Sequence, residues 1–408
     1  MRSRWTILAV LFLARFGMAF QFESIGALAP VLGGIHGFSL SEIGLLVGLY
    51  LGPGIIVAIP GGAIARWLGD RRVIGYSMVL MLAGGLLVAV ADQLWLVSAG
   101  RVISGVGGVV INIVMTKMVV DWFTGREIST AMAIFINSWP VGIAAALVIL
   151  PLAESAGGLC LSWATTLAVI ALGMAAFLAL YRPAEDAPAP SGGLRIVRFP
   201  FAPLLVSALI WALYNVALAT IYSFGPAFLT ERGFGLSAAG SMTGVFMIAL
   251  ALSIPAGGIA SDQTGRPGLV ITAGMLSFCL LVLMVFAAPI WVGPYLLTLA
   301  LFCFGFAGGP VVALPSRFLA PQSRAFGMGV YYAIYYAVMM FGPYFAGVVS
   351  DWAGNAGAAL AFGIGASAAG LLGLSVFFAV ERRATAALGQ PEIRCQHNKK
   401  TEYLNESI

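Results

Sequence analysis

The stretch "GFSLSEIG", Gly37 to Gly44, returns as "GFGLSAAG" at Gly233 to Gly240, 196 residues further along a chain of 408. In that register Gly37, Phe38, Leu40, Ser41, Gly44 and Gly48 recur as Gly233, Phe234, Leu236, Ser237, Gly240 and Gly244. "GGAIARWLG" (Gly61 to Gly69) then falls over "GGIASDQTG" (Gly257 to Gly265). Two matches in one register, at about half the chain length, predict a fold built twice from one plan.

Composition says in what medium that plan folds. The chain is 61% hydrophobic and 9% charged, with a mean hydropathy of +0.99, whereas a soluble domain carries roughly 25% charged residues. So little polar surface points to lipid as the solvent. A bilayer admits helices or closed barrels, and long unbroken apolar runs choose helices. Twelve such runs lie near 5–31, 41–65, 73–91, 95–120, 129–152, 160–181, 201–229, 237–261, 269–289, 294–316, 326–349 and 357–380. Each meets the need for about 20 apolar residues across a 30 Å core. The expected fold is therefore an all-α membrane protein with two six-helix halves, 1–181 and 201–383. A polar link at 182–200, rich in Pro, Ala and Gly, joins them, and a disordered tail is expected over 384–408. The first run continues straight into the fold, so no cleavable signal peptide is expected.

Lys and Arg set the orientation. With a cytoplasmic N-terminus, the inner loops hold Arg66, Arg71, Arg72, Arg126, Arg182, Arg195, Arg198, Arg266 and Arg324. Arg2, Arg4, Arg382 and Arg383 join them at the ends, against Arg232 alone outside. That asymmetry predicts both termini inside and explains the net charge of +5 without a nucleic-acid partner. Cys160, Cys279, Cys303 and Cys395 have no metal or disulfide spacing and read as small apolar filler.

Two duplicated halves joined by a polar link is the plan of transporters made from parallel repeats. Two short motifs, in the turn after the second run of the second half and in the fourth run, are more specific. "GGIASDQTGR" holds Gly258, Asp262, Gly265 and Arg266, and "RVISGVG" holds Arg101, Gly105 and Gly107. These resemble the major facilitator superfamily signatures Gly-x-x-x-Asp-Arg-x-Gly-Arg-Arg and Arg-x-x-x-Gly-x-Gly. The first half departs from the former, with Arg66 in the Asp place and Asp70 in a basic place. The resemblance implies alternating access by a monomer of the inner membrane, with helices 1, 4, 7 and 10 lining a central cavity. It also implies a gate-locking role for Asp262 and Arg266. "GDRR" and "GVGGVVINIVMTKMVVDWF" look most like the cyanate and nitroimidazole porters and their nitrate and organic-anion relatives.

Charges inside apolar runs are costly and usually functional. Five stand out: Arg15, Glu23, Arg101, Lys117 and Arg317. Arg15 lies about ten residues into its run, about 15 Å deep, and needs a carboxylate, a cluster of carbonyls or an anionic substrate. Glu23 is about 12 Å further along the same helix, too far for contact. As the one acid well inside a run, Glu23 suits a proton carrier or a partner for Arg101, which is itself structural or coupling. Lys117 and Arg317 follow Gly108 and Gly308 at equal distances. They either snorkel or form a paired basic vestibule.

Polar and aromatic residues add a pocket: Asn112, Asn137 and Trp139, Tyr214 and Asn215, and Tyr331 with Tyr335. Tyr331 and Tyr335 share one helical face, and Tyr332 and Tyr336 share another; one pair is expected to face the pocket. No Walker loop, nucleophile elbow or metal pair is present, so neither an enzyme nor a cofactor is expected. His36 and His397 fall in a loop and in the tail. The expected function is secondary transport of a small anionic or polar solute, such as a carboxylate, cyanate or nitrate, on the basic excess of four charges to one. The alternatives are a proton-coupled exporter centred on Glu23, although "SWPVG" keeps only Pro140 and Gly142 of the family's antiporter motif, and a sensor that does not transport.

Overall fold

The computed structural model describes residues 4–58, 68–123, 127–182, 200–319 and 324–387. Arg2, Arg66, Arg126, Arg195, Arg198, Cys395 and His397, most of the link and nearly all of the tail lie outside them, as does 61–67 of the repeat. Among the described residues every regular element is helical. The first half contains α1 (Arg4–Ala27), α2 (Leu40–Leu51), α3 (Asp70–Val90) and α4 (Leu94–Phe123). A helical stretch of 53 residues, Ile128–Leu180, follows. At 1.5 Å per residue it would run about 80 Å, far more than one bilayer. Gly157 and Gly158 leave helical geometry, Gly158 with φ 68°, and divide it into α5 (128–156) and α6 (159–180). The second half contains α7 (Phe201–Glu231), α8 (Leu236–Thr264), α9 (Pro267–Ala287), α10 (Gly293–Ala313), α11 (Arg324–Ala353) and α12 (Gly357–Ala387). Eleven described helices are long and apolar enough to cross a membrane, and the glycine break makes the crossings twelve.

Two boundaries differ from expectation. The first run divides into α1 and a short helix, Ala29–His36, with Pro30 in its first turn. The last helix continues to Ala387, four residues past the expected end of the second half.

The repeat reappears as backbone geometry. Gly37 and Gly233 (φ 71° and 92°), Gly69 and Gly265 (80° and 61°), and Gly158 and Gly354 (68° and 70°) form left-handed pairs in the 196-residue register. A β-carbon is penalised there, so glycine is required. Packing follows the same register. A β-carbon on Gly44 would overlap the Pro343 carbonyl, and one on Gly240 would overlap that of Leu147. Gly48 meets the Met340 carbonyl, and Gly244 stands in the same relation to that of Ala144. Both pairs of partners, 343 with 147 and 340 with 144, are again 196 apart. The α2–α11 seam and the α8–α5 seam are thus one contact made twice, related by a pseudo-twofold axis.

Both seams lie toward the side carrying the junctions near 37 and 233, the far face; Arg4 and the end of α12 lie on the near face. There the Ser39 side chain accepts from Glu42 N–H and the Glu42 carboxylate from Ser39 N–H, a capping box that starts α2. Asp351, at the far end of α11, accepts hydrogen bonds from the Leu40 and Ser41 amides, both at 2.8 Å. Its counterpart in the repeat register is Ser155, which bonds within its own helix to Leu152 O. The second seam has a Ser237 Oγ contact to Pro151 O at 3.5 Å. Near-face ion pairs among the described residues each stay within one half: Arg4–Glu127, Lys117 with Asp70 and Asp121, and Arg317–Glu381. The halves are joined on the far face and carry no described charge clasp on the near one.

Candidate substrate site

Arg15 sits midway along α1 with no carboxylate among its described partners. Its Nη1 donates to the carbonyls of Phe135 (2.9 Å) and Ile136 (3.0 Å) and to Ser138 Oγ (3.3 Å), all on α5. The sequence explains why α5 has acceptors to spare. Pro140 has no N–H, so the carbonyl four residues back, Ile136, lacks its helical donor. Nε donates to Asn112 Oδ1 at 3.0 Å on α4, and the guanidinium lies over the Phe135 ring at 4.8 Å. Nη2 makes no hydrogen bond to a described residue. Of the three fates expected for this cation, the carbonyl cluster takes most of the guanidinium and leaves one nitrogen for a ligand.

Asn112 continues the chain of contacts across the molecule. Its Nδ2 donates to Tyr336 OH at 3.2 Å on α11, so a cation of one half and a phenol of the other share one amide. Because that phenol accepts from Asn112, its own proton remains to donate. Tyr332 and Tyr335 also stand beside Arg15, in contact with each other and with Tyr336. Trp139 closes another side, 5.0 Å from Phe22. Arg15, Asn112, Trp139, Tyr332 and Tyr335 are all half-buried.

Several expected residues are placed elsewhere. Tyr331 is fully buried against Leu204, Ala208 and Leu319, because α11 turns that face toward α7. The tyrosines near Arg15 therefore include Tyr332 and Tyr336 in its stead. Tyr214 is 2% exposed, stacks on Phe304 at 4.2 Å and packs α7 on α10. Asn215 donates to Trp211 O one turn back, and half-buried Asn137 makes no described hydrogen bond. Lys117 and Arg317 do not form a free basic vestibule: Lys117 bridges Asp70 (3.0 Å) and Asp121 (2.7 Å), and Arg317 holds Glu381 at 2.6 Å. Asp262 and Arg266 are exposed, with no ion pair among the described residues.

Arg101 is not paired with Glu23. It donates to the carbonyls of Leu46, Gln21 and Phe22 at 2.8–2.9 Å and lies over the Tyr50 ring at 4.6 Å. It is a strut between α4, α2 and α1 in this state. Glu23 is fully buried and neither of its oxygens has a hydrogen bond. It sits where α1 meets α7, since a β-carbon on Gly26 would overlap Glu23 Oε1 and lie 2.8 Å from Ser223 Cα.

Twelve crossing helices in two repeats, joined on one face around a central cation, define a membrane transporter built from a duplicated half. The chain belongs to the Major Facilitator Superfamily, whose model matches residues 11–315 and 204–402; this is a family of transporters, not of enzymes. It is 29% identical to a probable chloroplastic anion transporter of Oryza sativa subsp. japonica over 126 residues, 30% of this chain and 24% of that protein. It is 24% identical to the lysosomal dipeptide transporter MFSD1 of Homo sapiens over 292 residues, 64% of this chain and 62% of that one. The matched segments span less than two thirds of either relative's length. Among solved structures, a point mutant of the nucleoside transporter NupG superposes with a TM-score of 0.73 at 16% identity, covering 92% of this chain and 99% of that one. A bacterial homologue of the lysosomal transporter Spinster, inward-facing and occupied, gives 0.69 at 16%, with 95% and 97% covered. At such identities these two structures show the fold.

One prediction belongs to α5. Pro140→Ala supplies an N–H that competes with Arg15 for the Ile136 carbonyl. The loss of one hydrogen bond of about 1 kcal/mol is expected to raise KM for the transported solute about fivefold, with kcat nearly unchanged. A lowered kcat at constant KM would contradict it.

Proposed function

We propose that the protein is a secondary transporter of a small anion, a carboxylate or a cyanate- or nitrate-like ion, bound by Arg15 and the α11 tyrosines. The observation that carries this reading is the Arg15 guanidinium. It is anchored on three sides, faces no described carboxylate, and keeps Nη2 for an oxygen or nitrogen that brings negative charge. Tyr335 and Tyr336 would donate to the same ligand, and Asn112 would report its arrival to the second half. The rice relative, a probable anion transporter, agrees with this reading. So does the resemblance to the cyanate, nitroimidazole and nitrate porters.

The two halves, 1–181 and 201–383, rock as a monomer in the cell's inner membrane. Near-face Arg4, Arg71, Arg72, Arg182 and Arg266 support a cytoplasmic near face, and on that reading the closed far face is the outer one. Uptake of labelled small anions into vesicles holding the purified protein is the test. Saturable uptake with competition inside one anion class is expected; a preference for lipophilic cations would overturn the reading.

A proton-coupled mode is favoured by Glu23, fully buried and without a hydrogen bond. A carboxyl sealed off in this state, with no hydrogen-bonded partner, is a candidate proton carrier. Glu23→Gln then removes any response of uptake to a pH gradient, read in the same vesicles. A response left intact would exclude Glu23 as the carrier.

A further inference from the structure

Outside the substrate site, the near face of the second half carries a groove of about 970 Å³ between the α8–α9 turn, the end of α10 and α12. Two of its lining residues, Arg266 and Arg317, are cations and none is an acid. Arg266 is exposed and unpaired among the described residues, while Arg317 gives Nε and Nη2 to Glu381. Below the arginines the walls are apolar. Leu269, Leu276 and Leu372 are 57%, 46% and 72% exposed, an apolar wall left uncovered by the protein's own helices. Leu276 lies ten residues along α9 from Arg266, about 15 Å down the helix, which is about the depth of one leaflet's hydrocarbon.

We propose that this groove binds one anionic phospholipid, its phosphate at Arg266 and Arg317 and an acyl chain along Leu269, Leu276 and Leu372. A phosphate without a chain would meet the cations but leave the apolar wall open, and a zwitterionic lipid would fill the wall but bring a compensating cation to the arginines. The occupant that satisfies both is an anionic amphiphile held at the cytoplasmic boundary. The site is independent of which solute the protein carries.

The test uses the full chain in nanodiscs of phosphatidylcholine containing phosphatidylglycerol, with lipid retained after mild detergent extraction counted by native mass spectrometry. One phosphatidylglycerol is expected to remain bound. Arg266→Gln is expected to reduce its retention about fivefold, the worth of one cation near a membrane surface. Arg72→Gln, an equal charge change on α3 of the other half, is expected to leave it unchanged. Thr272→Trp fills the groove without altering charge and is expected to reduce retention as well. Equal losses from Arg266→Gln and Arg72→Gln would show a diffuse field instead of a site. Retention of phosphatidylcholine as strong as that of phosphatidylglycerol, or an unaffected Thr272→Trp, would also overturn the proposal.

Discussion

Arg15→Gln is expected to abolish anion uptake while the protein still inserts and purifies as a monodisperse species. Glutamine can replace at most two of the donor contacts to Asn112 and the α5 carbonyls, and it brings no charge to the ligand. Arg15→Lys separates charge from geometry. Lysine restores a cation but cannot span Asn112, the α5 carbonyls and a ligand at once, because its three donors radiate from one nitrogen. Losing a charge-assisted hydrogen bond of about 1.5–3 kcal/mol corresponds to a roughly 10- to 150-fold weaker apparent affinity. Titration of uptake against anion concentration reads both variants. Normal uptake by Arg15→Gln would sink the anion reading and leave the proton-coupled one with Glu23 at its centre.

The second large effect is expected at Gly48. A β-carbon there overlaps the Met340 carbonyl, a backbone atom that no rotamer change can move aside. Overpacking of this kind costs roughly 1–3 kcal/mol. It falls only on the state in which α2 and α11 touch, so Gly48→Ala shifts the population toward far-face opening by about 5- to 150-fold and slows transport accordingly. Gly244 is the internal control. Its β-carbon would meet the Ala144 carbonyl at 3.0 Å and the Val148 side chain at 2.9 Å, contacts that small shifts relieve, so Gly244→Ala should disturb the balance less. Spin labels at residues 39 and 352, on the far ends of α2 and α11, give the distance distribution for each. Equal distributions for the two variants would refute this account.

Both results depend on how the sequence encodes structure, and it does so unevenly. The seam glycines were legible because close backbone approach leaves glycine little alternative, so Gly44 and Gly48 reappear as Gly240 and Gly244. The position of Arg15 midway along its helix was legible because rise per residue is fixed. What holds Arg15 was not. The signal was present in Pro140, but a freed carbonyl acquires meaning only when another helix brings a donor to it. Lys117 and Arg317 looked alike as cations near helix ends. Asp121, four residues on from Lys117, was within reach of helical spacing, but Asp70 and Glu381 are 47 and 64 residues away, a distance that sequence periodicity does not bridge. The tyrosines show the limit most clearly. Spacing of four says that Tyr332 and Tyr336 share a face, yet which face turns inward is decided by Leu204 and Ala208 of α7 packing on Tyr331.

The single Asp351 clasp bears on how the molecule moves. Duplication gave the two far-face seams the same glycines and the same carbonyl neighbours, but only one has a carboxylate seated on two backbone amides; the other has Ser155 in that place. A closure of two like seams with one fastening does not part evenly. We therefore expect the α5–α8 edge to part before the α2–α11 edge, which must also release both Asp351 hydrogen bonds. A symmetric scaffold thus acquires a preferred order of opening from one side chain.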